Sequence, residues 1–180
     1  MDGIKEALKK YVFSGKSFYV QLFTLALPII IQNFIASCLN MVDTVMIGQV
    51  GEPQIAAVGI ANQYFLLFVL FIIGIHSGCG VFISQFWGKG DRDNIRKVLG
   101  IGLVISFIVA LVFTIAALLF PEEIISIFSE EDPLVISEGA DYLRIVCISY
   151  VFTALSFGYA FACRSIGNSF MPMVISALAL

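Results

Sequence analysis

Charge is what this sequence has least of. Only 13% of its 180 residues are Asp, Glu, Lys or Arg, against about 25% in a soluble domain. The one histidine, His76, sits in an apolar stretch, where it reads as a neutral, hydrogen-bonded side chain, the alternative being a group that titrates near neutral pH. The four cysteines, Cys38, Cys79, Cys147 and Cys163, fall singly in apolar stretches. Without paired metal-ligand spacing they argue against zinc and disulfides and read as small packing residues. A phosphate loop is missing too: Gly88-Lys89-Gly90 puts glycine where the Walker pattern needs Ser or Thr, and no strand precedes it. No nucleophile–base pair or metal cluster emerges, so the chain does not read as an enzyme. No small-x-small cleavage site follows the first apolar stretch, which is too long for a signal peptide. There is no internal repeat, low-complexity tract or soluble domain, and nothing calls for a cofactor or a nucleic acid.

What is present is apolar. Hydrophobic residues make up 59% of the chain, and its mean hydropathy is +0.98. A spanning helix needs ~20 mostly apolar residues. Four stretches qualify, at about Phe18–Gly48, Ala56–Trp87, Val98–Phe120 and Tyr142–Cys163. A fifth begins near Met171 and is still apolar at Leu180, so the sequence reads as cut in mid-helix. The expected fold is an all-α membrane protein with four transmembrane helices and the start of a fifth. Residues 1–17 form a separate segment, in which Ile4, Leu8, Tyr11 and Val12 share a helical face beside Lys5, Lys9 and Lys10. That pattern suits an amphipathic helix at the cytoplasmic interface. Residues 18–180 are the transmembrane bundle.

Basic residues give the orientation. Lys5, Lys9, Lys10 and Lys16 precede the first span, Lys89, Arg92, Arg96 and Lys97 lie between the second and third, and Arg164 follows the fourth. The loops from Gly48 to Ile55 and from Pro121 to Asp141 carry acids and no base. Nine of the ten Lys and Arg residues therefore fall on one side, which the positive-inside rule makes cytoplasmic. The exception, Arg144, is placed to pair with Asp141 or to snorkel outward. Asp132-Pro133 reads as the start of the fourth helix. Gly88-Lys89-Gly90-Asp91 reads as a glycine turn ending the second, with Asp91 or Asp93 capping the third. Gly74-x3-Gly78 is a small-xxx-small spacing that permits close helix contact.

Asp43 stands out against this background. It is the only acid in an uncharged run from Ser17 to Val50, where a carboxylate costs about 2.5–3.5 kcal/mol at the helix centre and less near the interface. An acid so placed points to binding of a proton or cation. Asn33, Ser37, Asn40 and Thr44 fall on one line of the same helix at 100° per residue, with Gln32 and Asp43 flanking it together. Asp43, Asn40 and Thr44 form a candidate coupling-ion set, and Gln32, Asn33 and Ser37 a candidate polar cavity face. The bland alternative is polar bridging between helices. Pro28, inside this helix, removes a hydrogen bond to the carbonyl of Thr24 and is the candidate hinge.

Pro28-Ile-Ile-Ile-Gln32, Met41-Val-Asp43-Thr44 and Gly48-Gln-Val-Gly51 resemble the first helix of the multidrug and toxic compound extrusion (MATE) transporters. Trp87-Gly-Lys-Gly-Asp91, Asp132-Pro133, Tyr142-Leu-Arg-Ile145, Arg164-Ser-Ile-Gly-Asn168 and Met171-Pro-Met173 are similar to further family landmarks in the same order. The resemblance runs from about residue 17 to the end. It implies twelve helices in two six-helix lobes, exporting organic cations against sodium ions or protons across a bacterial or archaeal plasma membrane. The sequence would be the N-terminal lobe without most of its fifth helix and all of its sixth, its partners being membrane lipid and the remainder of the transporter. The resemblance also implies that Asp43 belongs to a cation or proton site in this lobe. Two other readings stand beside it. A lipid-linked oligosaccharide flippase would need clustered cations, yet only Arg144 approaches a span. A non-transporting scaffold would use the polar residues merely to hold helices together.

Overall fold

The computed structural model of the chain describes residues 16–49, 51–128 and 133–178. Its elements are α1 (Lys16–Gly48), α2 (Glu52–Lys89), α3 (Arg92–Leu119), α4 (Pro121–Phe128), α5 (Pro133–Val146), α6 (Ser149–Ser165) and α7 (Phe170–Leu178). Three helices, α1, α2 and α3, are long and apolar enough to cross a membrane, and α5 with α6 supplies a fourth span if the bent pair is one crossing. An all-helical membrane protein is the result, as the apolar runs imply. In lipid, helices are the local solution that satisfies every backbone polar group within one segment.

The turn chemistry holds where it was read. Gly90 ends α2 in the left-handed region, at φ 73°, a conformation that costs a glycine nothing. Asp91 then caps α3, its Oδ1 accepting from the Asn94 N–H at 3.2 Å and its Oδ2 from Asn94 Nδ2 at 2.6 Å. Those two hydrogen bonds, the backbone one first, hold the Asp91 carboxyl below its ordinary range. Arg144 pairs with Asp141 at 3.1 Å. The N-terminal amphipathic segment and the capping residue Asp132 lie outside the described residues.

Three expectations need correction. The fourth span is not one helix over Tyr142–Cys163: it breaks at Cys147–Ile148, and its halves α5 and α6 meet at 54°. The acidic segment after α3 is not all loop, because Pro121–Phe128 is helical, with Pro121 and Ile125 buried. Gly74 and Gly78 are not contact points among the described residues, where a Cβ built on either meets nothing within 4 Å.

The chain divides into two compact units. One comprises the described parts of Met1–Cys38 and Gly167–Leu180. Within it Gln32 Nε2 donates to Ser176 Oγ at 2.8 Å, and the Met171 N–H donates to Asn168 Oδ1 at 3.3 Å as α7 starts.

The other unit is Leu39–Ile166. Here α2 is the central post, packing on α3, α5 and α6. An aromatic cluster fills the contact: Tyr150 stacks on Phe68 at 4.8 Å and 10°, while Phe113 lies 5.2 Å from Tyr64 and 5.6 Å from Phe68. The buried alanines Ala61, Ala110, Ala117 and Ala154 surround it. Small side chains of this kind let backbones approach where lipid supplies no hydrophobic drive between helices.

Candidate functional site

All seven residues singled out in the sequence lie on α1. Pro28, Gln32, Asn33 and Ser37 belong to the first unit, and Asn40, Asp43 and Thr44 to the second. The helix is assigned without interruption through Pro28. Asn33, Ser37, Asn40, Asp43 and Thr44 are exposed, while Gln32 is half-buried through its bond to Ser176.

The two hydroxyls on the polar line bond backward. Ser37 Oγ donates to the Asn33 carbonyl at 2.9 Å, and Thr44 Oγ1 to the Asn40 carbonyl at 2.7 Å. This arrangement satisfies each hydroxyl proton within the helix. It leaves the hydroxyl lone pairs outward, as acceptors or as neutral oxygen ligands for a hard cation.

Asp43 has a neighbour that was not singled out for it. Its carboxylate lies within electrostatic reach of the Tyr142 phenol on α5. Tyr142, on a second helix of the same unit, offers a hydroxyl donor. Among the described residues the ion pairs are Arg96–Asp93 and Arg144–Asp141, and Asp43 is in neither. No three His, Cys, Asp or Glu side chains converge among the described residues. A cation at Asp43 would therefore be held by one carboxylate and neutral oxygens, a donor set for sodium or a proton rather than for a transition metal.

His76 lies elsewhere, buried where α2, α3 and α6 meet. Its Nε2 is 2.8 Å from Ser106 Oγ, and its ring stacks on Phe161 with centroids 6.1 Å apart. Glycines face it on two sides. A Cβ on Gly158 would fall 2.9 Å from His76 Cε1, and one on Gly102 would fall 3.6 Å from Nδ1. The imidazole fills space that those glycines leave open, and Ser106 is its hydrogen-bond partner. Two more cross-helix bonds were missed in the sequence. Tyr64 Oη donates to the Phe113 carbonyl at 2.8 Å, and Thr114 Oγ1 to the Cys147 carbonyl at 3.0 Å. The available signal was a lone hydroxyl inside an apolar span, which spacing alone assigns to no partner.

Comparison with known proteins places this architecture. The model of the MatE family matches residues 28–180. The chain belongs to the MatE family. It is an integral membrane protein of a transporter family. The chain is similar to the probable multidrug resistance protein YoeA of Bacillus subtilis, with 27% identity over 173 residues, 96% of the chain and 37% of that relative. It is similar to the multidrug resistance protein NorM of Photobacterium profundum, with 29% identity over 126 residues, 70% of the chain and 27% of the relative. Similarity to the multidrug resistance protein MdtK of Klebsiella pneumoniae is 31% over 137 residues, 76% of the chain and 29% of the relative. The aligned part of the chain thus spans between 27% and 37% of the length of these curated relatives.

Proposed function

We propose that the chain is the N-terminal part of a multidrug efflux antiporter that exports organic cations in exchange for inward-moving sodium ions or protons. The observation that carries the reading is Asp43, a lone carboxylate in a spanning helix with no basic partner among the described residues. A permanent structural role for such a group would call for a counter-charge. An exchanging cation is a counter-charge that comes and goes. The names of the relatives support the multidrug substrate class, and their greater length supports reading the chain as one part of a larger transporter.

In this account the coupling ion occupies Asp43 with oxygens of Asn40 and Thr44 around it, and Gln32, Asn33 and Ser37 present polar groups to the substrate path. Pro28 allows the helix to bend as Asp43 changes its occupancy, since its ring breaks the ladder at that turn. The basic residues of the α2–α3 turn lie on the cytoplasmic side, with the N-terminus.

The test is Asp43→Asn in the intact gene product, reconstituted in lipid vesicles. The amide is isosteric and costs less in lipid than a carboxylate, so insertion stays at the parental level. Gradient-driven export of a fluorescent organic cation falls to the background of protein-free vesicles. Export at the parental rate would remove Asp43 from the coupling site.

A further inference from the structure

The break in the fourth span has no proline and no glycine to cause it: the sequence there is Val146-Cys147-Ile148-Ser149. Sharp bends in helices arise from such residues or from side chains that intrude on the hydrogen-bond ladder. Here it is side chains. Cys147 Sγ donates to the Arg144 carbonyl at 3.2 Å, and Ser149 Oγ to the Val146 carbonyl at 2.7 Å. The Cys147 carbonyl accepts from Thr114 Oγ1 on α3 at 3.0 Å, alongside a tightened bond from the Tyr150 N–H at 3.1 Å. Three carbonyls around the break are thus met by side-chain donors, which is what makes a bend tolerable in an apolar medium. Two of those donors are local to the break and travel with it. Of the three donors, Thr114 is the one that comes from another helix.

The two halves are held differently. The inner half, α6, is fixed to both α2 and α3: Tyr150 stacks on Phe68, Gly158 closes on Leu103 and His76, and Phe161 stacks on His76. The outer half, α5, packs on α2 and α4, where Gly139 meets Ile125, and makes little contact with α3. The geometry points to Cys147–Ile148 as a hinge about which α5 swings while α6 stays clamped, with Thr114 as the latch that sets the bend. This is a conformational device of the fourth span. It stands apart from the role proposed for Asp43, because its readout is the shape of the span and not transport.

Spin labels in the intact gene product, held in lipid nanodiscs, test it. One pair, at Glu138→Cys and Val112→Cys, reports α5 against α3. A second, at Phe152→Cys and Val104→Cys, reports α6 against α3. Cys38, Cys79 and Cys163 are replaced by alanine, and the buried Cys147 is kept. T114V removes the hydroxyl at constant shape, and T114S keeps it. A swing of about 15° about the break moves Glu138, which lies about 13.5 Å along the arm from Cys147, by about 3.5 Å. T114V therefore shifts or broadens the α5 distance distribution by about that much and leaves the α6 pair unchanged, while T114S matches the parent. An unchanged α5 pair in T114V would make the bend static. Equal movement of both pairs would mean general loosening, and T114S behaving as T114V would remove the hydroxyl from the account. Either result overturns the latch.

Discussion

Gly158 and Gly74 are the same residue in mid-helix positions of spanning helices, and their surroundings give them opposite consequences. A methyl on Gly158 would fall 2.5 Å from Leu103 Cδ2 and 2.9 Å from His76 Cε1. Leu103 can rotate away, but the His76 ring is tied to Ser106 and lies between two helices. Overpacking of this kind costs about 1–3 kcal/mol. A methyl on Gly74 meets nothing within 4 Å and gains helix propensity of up to about 1 kcal/mol. Gly158→Ala therefore lowers the thermal unfolding temperature of the chain in detergent, and Gly74→Ala keeps or raises it. Equal effects would contradict the crossing described around His76. The Gly74-x3-Gly78 spacing is plain in the sequence, yet the close approaches between helices under 3 Å fall at Gly80, Gly102 and Gly158. Which glycine is used depends on which face meets a neighbour, and a single helix does not encode that. Asp43 stands out in the sequence for the opposite reason. Its cost in lipid belongs to the residue itself and needs no partner to be recognised.

Helix ends were written locally and came out as read. Gly90 and Asp91 stop one helix and start the next through bonds to residues at most five positions away, so the sequence around the turn contains the whole mechanism. The same holds for the Arg144–Asp141 pair, one helical turn apart. The bend at Cys147–Ile148 was not legible, because the apolar run through it looks continuous and its latch, Thr114, is 33 positions away. Helix α4 was hidden by composition. Glu122 and Glu123 make the segment look like a solvated loop, while Pro121, Ile124 and Ile125 form the face that packs inward. Elements defined by their own neighbours are readable, and those defined by another helix are not. The hinge proposed above is of the second kind.

At the scale of the whole molecule, hydropathy and charge asymmetry carry the account from a list of helices to a protein in a bilayer. In the orientation proposed from the positive-inside rule, the α2–α3 turn lies inside and the start of α2 outside. Glu52→Cys and Lys89→Cys in intact cells test that arrangement with an impermeant thiol reagent. Glu52→Cys labels from outside and Lys89→Cys only after the membrane is opened, and labelling from one side would overturn the topology. In the antiport proposed for this chain, the coupling ion and the organic cation are linked through Asp43. Competition is reciprocal, so an ion that occupies the carboxylate must weaken the organic cation and be weakened by it. The direct measurement is the Kd of a fluorescent organic cation on the purified intact protein across a series of pH values and sodium concentrations. The parent's Kd rises with proton or sodium concentration, and Asp43→Asn abolishes that dependence. If Asp43→Asn kept the parental dependence on both ions, the coupling site would lie elsewhere.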